Sequence, residues 1–95
     1  MVKTTGFAAT MRAINDVLYK RERDRGQARG TAHRQTVQLR RKAEAAYGKQ
    51  ADVAIADIAG VMLARLKAGR EFEDVAGMSS GKLVKLARKI GQKEL

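Results

Sequence analysis

The sequence contains no cysteine and no proline, and it has only four aromatic residues, Phe7, Tyr19, Tyr47 and Phe72. Without cysteine the chain can form no disulfide and offers no thiolate, a composition compatible with a reducing cytoplasm. Without proline the chain lacks the strongest helix breaker, and the many Ala, Leu, Lys, Arg and Gln residues predict helix throughout. No apolar run approaches membrane-spanning length and no apolar signal region is visible, so we expect a cytoplasmic protein.

The chain is short for a self-sufficient core. Its 95 residues predict one small domain, residues 1–95, and many of its hydrophobic residues are alanine. A core with so few aromatic side chains is often completed at an interface, so a homodimer is one expectation. Residues 26–31, GQARGT, predict a flexible joint, and residues 1–3 and 92–95 predict frayed ends.

Positive charge is concentrated in two blocks. The net charge is +10, and residues 20–42 carry nine basic and two acidic residues, a net +7. Residues 78–95 add +4, whereas residues 43–77 carry −2. Like charges packed together repel, and an anionic polymer relieves that repulsion while releasing its counterions. This distribution favours a nucleic acid as partner.

The segment from Phe72 to Ile90, FEDVAGMSSGKLVKLARKI, organises the rest of the prediction. Its pattern predicts a short helix, a tight turn at Gly77 with φ above zero, and a second helix capped by Ser80. Apolar residues fall at i, i+3, i+4 and i+7, which is one face of an α-helix; they are Leu83, Leu86, Ala87 and Ile90. Met78 is expected to fill the gap between the two helices.

This pattern resembles the helix-turn-helix superfamily of DNA-binding domains. Gly77, Met78, Leu83 and Leu86 match the turn glycine and the apolar positions after it. The segment GMSSGKLVKLARKIG also looks like the recognition segment of Fis-type and NtrC-type activators. The resemblance implies that one set of residues faces the major groove or its flanking phosphates: Ser79, Ser80, Gly81, Lys82, Lys85, Arg88 and Lys89.

The basic block at residues 20–42 predicts a second contact with the DNA backbone. Arginine and lysine neutralise phosphates, although Glu22 and Asp24 lie among them and can pair along a helix. The candidate phosphate contacts in this block are Arg21, Arg23, Arg25, Arg29, Arg34, Arg40, Arg41 and Lys42.

Two further helices are predicted from their apolar spacing. The first runs from about residue 5 to 25, capped by Thr4 or Thr5, with Phe7, Met11, Ile14 and Leu18 in one stripe. That stripe predicts either the domain core, which we favour, or a dimer seam. The second, at about residues 50–67, follows a break at Gly48 and ends at Lys67-Ala68-Gly69, and its Gly60 could permit a close helix crossing. Its apolar face and flanks comprise Ala51, Ile55, Ile58, Ala59, Met62 and Leu66, with Val53, Val61 and Leu63.

The segment from Thr31 to Tyr47 is open to two interpretations. A helix places Ala32, Leu39, Ala43, Ala46 and Tyr47 on one side but leaves Val37 outside. A short strand at residues 36–40 would pair Val37 with Leu39 and would resemble ribbon-helix-helix proteins, whose strands enter the major groove. We favour the helix.

Catalysis and metal binding find little support. The lone His33 has no second histidine or cysteine to share a metal, and the carboxylates are explained by charge balance and helix N-termini. The segment GMSSGK is one residue too short for a phosphate loop and is followed by Leu83 rather than Ser or Thr. We therefore expect no enzyme, cofactor, metal or small-molecule substrate.

The sequence thus predicts an all-α bundle of four to five helices with a C-terminal helix-turn-helix-like pair. It is expected to bind double-stranded DNA as a small transcriptional regulator, a plasmid or phage accessory factor, or a nucleoid component. Two alternatives remain open: an RNA-binding or ribosome-associated helical protein, and an adaptor or inhibitor that binds an acidic protein partner or an anionic membrane surface.

Overall fold

A computed structural model describes residues 6–49 and 52–94, the last four of them by backbone alone. The described chain forms five helices, which confirms the predicted all-α bundle of four to five helices. They are α1 (Gly6–Asp24), α2 (Thr31–Lys49), α3 (Ile55–Lys67), α4 (Phe72–Ala76) and α5 (Ser80–Glu94). None of the helices within the described ranges is both long and apolar enough to cross a membrane.

The apolar stripe of α1 belongs to the domain core, as favoured. Met11, Ile14 and Leu18 are buried, and Phe7 packs half-buried against them. These side chains recur on one face of the helix, so burying that face holds the whole of α1 against the domain. The proposed caps Thr4 and Thr5 lie outside the described residues, as do residues 1–3.

The segment from Thr31 to Lys49 is a single helix, so the strand interpretation of residues 36–40 is wrong. Ala32, Leu39, Ala43 and Ala46 are buried along its inner face. The helix also continues through Gly48, where the sequence predicted a break. The buried face of α2 stabilises the turns that precede Gly48. The helix therefore tolerates one exposed glycine, which destabilises a helix by only about 1 kcal/mol relative to alanine.

Thr36 is a core position that the hydrophobic pattern could not show. Its side chain is 4% exposed and its hydroxyl donates a 2.7 Å hydrogen bond to the Ala32 carbonyl oxygen. The same hydroxyl accepts a 2.9 Å hydrogen bond from the amide nitrogen of Asn15 on α1. A buried polar group stays inexpensive when it is hydrogen-bonded in this way, and the bond ties α1 to α2.

Helix α3 begins later than predicted but ends where the sequence indicated. Ala54 is its N-cap, so the predicted start near residue 50 is wrong, and Ala51 lies outside the described residues. The helix ends at Lys67, and Gly69 follows with φ of 95°. A Cβ built at Gly60 would meet no atom within 4 Å, so the idea of a close helix crossing there is wrong.

Two central helices connect the other helices of the bundle. Helices α2 and α3 pack on each other and form the centre, and α1 and α5 each pack on both of them. Among the described residues, α1 and α5 do not contact each other. The short α4 packs on α2 and α3 as well. Part of the first basic block, Arg34, Arg40, Arg41 and Lys42, therefore lies on α2, which packs directly on α5.

The segment predicted to be a flexible joint has a defined, hydrogen-bonded conformation. After α1, Gly26 has φ of 64°, and the Gln27 N–H donates a 2.9 Å hydrogen bond to the Glu22 carbonyl oxygen. Gly30, with φ of 93°, then precedes α2 and accepts its first helical hydrogen bond, from the Arg34 N–H. Both glycines adopt the left-handed region that other residues reach only at a cost, so they specify this turn.

Candidate nucleic-acid interface

Helices α2 and α5 are the most basic elements of the described chain, each with five basic residues and one acidic residue. The inner face of α5 is held by Leu83, Val84 and Ala87, which are all buried, while Leu86 and Ile90 are half-buried. Lys82, Lys85 and Lys89 are exposed at i, i+3 and i+7, so they form one outward stripe. We call these three residues the α5 lysine stripe. Within the described residues none of the three forms an ion pair.

The start of α5 is capped one residue earlier than predicted. The Ser79 hydroxyl oxygen accepts a 3.1 Å hydrogen bond from the Lys82 N–H, and the Ser79 carbonyl accepts one from Leu83. Ser79 is therefore the N-cap, and the prediction that Ser80 plays this part is wrong. Ser80 is half-buried, and Gly81 is exposed with open space where a Cβ would project.

The turn before α5 also differs from the prediction. Gly77 has φ of −82°, a right-handed helical value, so the expected positive φ is wrong. A Cβ at this position would lie 3.0 Å from the Glu73 carbonyl oxygen, whose hydrogen-bond donor is the Gly77 N–H at 2.9 Å. Glycine fits here because a Cβ would crowd the backbone of α4.

The helix pair around this turn is held by the centre of the bundle. Helix α4 has five residues, with Val75 buried, and Phe72 and Met78 half-buried against the core. Over the residues that the structure describes, the backbones of α4 and α5 do not approach each other closely; each packs on α2 and α3. The orientation of α5 is thus fixed mainly by α2 and α3.

Arg88 lies on α5 beside the loop that precedes α3. Its guanidinium donates a 2.8 Å hydrogen bond from Nη2 to the Asp52 carboxylate, and both side chains are about half exposed. The pair joins two segments 36 residues apart. Arg88 is therefore partly committed to the fold, and it lies one turn after Lys85, at the edge of the α5 lysine stripe.

Part of the basic block at residues 20–42 also serves the fold. Arg21 is half-buried, and its Nη2 donates a 2.8 Å hydrogen bond to the Leu66 carbonyl oxygen in the last turn of α3. A cation at this end of a helix is favoured by the helix dipole. Arg23 is exposed, with its guanidinium 5.8 Å from the centre of the Tyr19 ring.

Arg25 forms a two-pronged ion pair with Glu71, the N-cap residue of α4. The two nitrogen–oxygen distances are 2.7 and 3.2 Å. The hydrogen bond from Arg25 and then its charge hold the pKa of the Glu71 carboxyl below its ordinary value, and the same contacts raise the pKa of Arg25. The pair connects the end of α1 to the start of α4.

The remaining predicted phosphate contacts of this block are mostly on the surface. Arg29 lies in the α1–α2 connection, and Arg34 and Arg41 are exposed two turns apart on the side of α2 opposite the core. Arg40 is exposed beside the groove between α1 and α2, and Lys42 is half-buried. Arg34 and Arg41 thus form a second outward pair on a helix that touches α5.

Two basic residues that the sequence reasoning did not select lie close to the start of α5. Arg65 and Arg70 line one cleft together with Lys82. They were passed over because residues 43–77 are acidic as a whole, so a block average concealed them. The signal that could have found them is Gly69, since a glycine after a helix folds the chain back over its last turn.

Among the described residues no group of three or more His, Asp or Glu side chains is placed to hold a metal ion. Exposed basic side chains outnumber exposed acidic ones over the same residues. Comparison with known proteins gave no matching family model, no matching curated protein and no matching solved structure.

Proposed function

We propose that this protein binds double-stranded DNA through α5 and the outer side of α2. One observation carries the proposal: the α5 lysine stripe is exposed along one side of a helix, and residues 80–93 contain no carboxylate to neutralise it. A surface built to be merely soluble usually mixes charges of both signs. An uncompensated row of cations lowers its own repulsion when a polyanion lies against it.

The dimensions of α5 suit this role. An α-helix with its side chains is about 10–12 Å across, and the major groove of DNA, about 12 Å wide, admits one helix. Lys82 and Lys89 are seven residues apart, so the stripe extends about 10 Å along the helix. Exposed Gly81 leaves the first turn of α5 open to close approach by a phosphate.

Helix α2 would supply backbone contacts beside this groove. Arg34 and Arg41 are exposed on its outer side, and α2 packs against α5. Contacts to phosphates fix the position of a protein on the duplex, and contacts to base edges give sequence preference. The biological role that we propose is that of a small transcriptional regulator or a plasmid or phage accessory factor.

The test is a salt titration of binding to a mixed-sequence DNA duplex, with a structured RNA of equal length as competitor. Lys85→Gln/Lys89→Gln should weaken duplex binding and reduce the slope of log affinity against log salt by about 2, since each phosphate contact contributes about 0.9. The matched control is Arg12→Gln/Lys67→Gln, which removes the same charge from exposed positions on α1 and α3.

The outcomes of this titration distinguish a DNA interface on α5 from a general charge effect and from another kind of partner. A reduced slope in the α5 variant together with an unchanged slope in the control supports the proposal. Equal losses in both variants would mean that only net charge matters, and the α5 interface would be abandoned. Preference for the RNA competitor, or binding to an acidic protein with none to the duplex, would replace DNA with that partner.

A further inference from the structure

The cleft between the end of α3, α4 and the start of α5 gathers three cations. It has a volume of about 220 Å³ and is lined by Arg65, Arg70 and Lys82, with Asp74 and the apolar side chains of Val75 and Met78. We call it the α3–α5 cleft. Arg65 is half-buried, whereas Arg70 and Lys82 are exposed. Residues distant in the sequence therefore place three positive charges around one opening.

The backbone holds the two arginines in this position. Gly69, with φ of 95°, donates a 3.0 Å hydrogen bond to the Leu66 carbonyl oxygen, and the Arg70 N–H donates one of 3.1 Å to the Arg65 carbonyl oxygen. These two bonds close the end of α3 in the Schellman arrangement, which folds the chain back over the last turn. The backbone of Arg70 is thereby tied to that of Arg65, so the two side chains start from positions that are fixed relative to each other.

The charge of the cleft is not balanced from within the fold. Among the described residues, Arg65, Arg70 and Lys82 form no ion pair, and neither does Asp74, the one carboxylate that lines the cleft. Counting these four side chains, the cleft has a net charge of +2. An anion placed between the three cations would relieve their mutual repulsion.

We propose that the α3–α5 cleft binds a phosphate group. Two guanidinium groups present planar sets of N–H donors that match phosphate oxygens, and Lys82 adds a point charge. The capped start of α5 contributes the positive end of its helix dipole next to Lys82. A volume of this size, with a water occupying about 30 Å³, holds an anion of several heavy atoms.

This site has one source of phosphate if the proposed function is correct. The DNA backbone that flanks α5 would place a phosphate in the cleft, at the Lys82 end of the α5 lysine stripe. That identification rests on the proposed function, whereas the binding of phosphate itself rests on the geometry of the cleft alone. The experiment therefore has one arm without nucleic acid and one with a duplex.

In the first arm, pyrophosphate is titrated into the ¹⁵N-labelled full chain and followed by NMR. We expect saturable shifts of the Arg65 and Arg70 side-chain Nε–H signals and of the Gly81 and Lys82 amides. Arg70→Gln should weaken pyrophosphate binding at least about tenfold, as expected from the loss of a charge-assisted hydrogen bond. The control Lys67→Gln removes an exposed cation from the same end of α3 but outside the cleft.

In the second arm, the salt slope of duplex binding is measured for Arg70→Gln, Lys82→Gln and the double variant. If both side chains hold one phosphate, the double variant should lose no more slope than either single variant, about 0.9. Retained melting temperatures exclude unfolding as the cause of any loss.

The two arms separate the two proposals. Pyrophosphate shifts confined to the cleft without duplex binding would support the site and overturn its DNA partner. Duplex binding that is indifferent to Arg70→Gln, with pyrophosphate shifts spread over all basic residues, would overturn the site and leave the proposed function standing. Losing both signals would end both proposals.

Discussion

The Glu22 carboxylate on α1 accepts a 2.7 Å hydrogen bond from the backbone N–H of Ala32, in the first turn of α2. Gly30 stands at the N-cap position of α2 and has no side chain with which to cap it. Glu22 therefore supplies from another helix the acceptor that Ser, Thr, Asp or Asn would normally provide. The side chain is only 8% exposed, and a carboxylate at this helix end is also favoured by the helix dipole.

We expect Glu22→Ala to lower the free energy of unfolding by about 1–3 kcal/mol. The change removes a charge-assisted hydrogen bond and leaves the Ala32 N–H unpaired in the interior. Urea denaturation of the variant measures the loss. The control is Glu44→Ala, at an exposed position of α2, which should change stability by less than about 0.5 kcal/mol. Equal effects of the two changes would show that Glu22 does not cap α2.

Two glycine substitutions should change stability in opposite directions. Gly60→Ala places a methyl group in open space inside α3 and should stabilise the protein by up to about 1 kcal/mol. Gly69→Ala forces a side chain into a residue with φ of 95° and should destabilise it by about 1–2 kcal/mol. Thermal and urea unfolding of both variants provide the measurement, and destabilisation by Gly60→Ala would contradict the packing described for α3.

The Arg25–Glu71 pair should make a small contribution to stability that depends on pH. Because the pKa of Glu71 is lower in the folded chain, its ionised form favours folding. That contribution is present above the ordinary glutamate pKa, roughly 4.3, and is lost as the pH falls through the lower folded value. Melting temperatures of the wild type and Glu71→Gln should therefore differ at pH 7 and converge in acid. A difference that persists undiminished at pH 2 would assign the effect to packing instead.

Asp52→Asn removes a negative charge from the neighbourhood of α5. Under the proposed function, duplex affinity should rise by up to about fivefold, since an exposed charge contributes up to about 1 kcal/mol. The control Asp16→Asn changes the net charge equally, on the exposed side of α1. Salt titrations of the two variants compare them directly. An equal rise in both would indicate that only the total charge matters, and a fall for Asp52→Asn would count against an interface near Arg88.

The sequence predicted the helices best where periodic apolar residues decide the structure. The stripe of Met11, Ile14 and Leu18 and the end of α3 near Gly69 follow from spacing and from glycine alone, since burial and backbone sterics act locally there. Thr36 escaped detection because its burial depends on a hydrogen bond from Asn15 on another helix. The spacing of apolar residues indicates which face of a helix is buried, but it does not indicate which polar residues are buried through hydrogen bonds to another helix.

The candidate site could be predicted only in part for the same reason. The exposure of Lys85 and Lys89 follows from helix periodicity, whereas the roles of Arg21 and Arg25 depend on contacts with α3 and α4 that no local pattern reveals. Ser79 and Ser80 are adjacent and chemically identical, so the sequence pattern could not decide which of them is the N-cap of α5. The position of Arg65 and Lys82 in one cleft depends on how α3 and α5 are placed relative to each other.

The central position of α2 and α3 has an evolutionary consequence. Since α1 and α5 do not touch within the described chain, substitutions at Ile14 and at Lys89 should act independently, with free-energy changes that simply add. The outer side of α5 can therefore diversify, one lysine at a time, without disturbing the anchoring of α1. Selection for a new target and selection for a durable scaffold would act on separate parts of this small molecule.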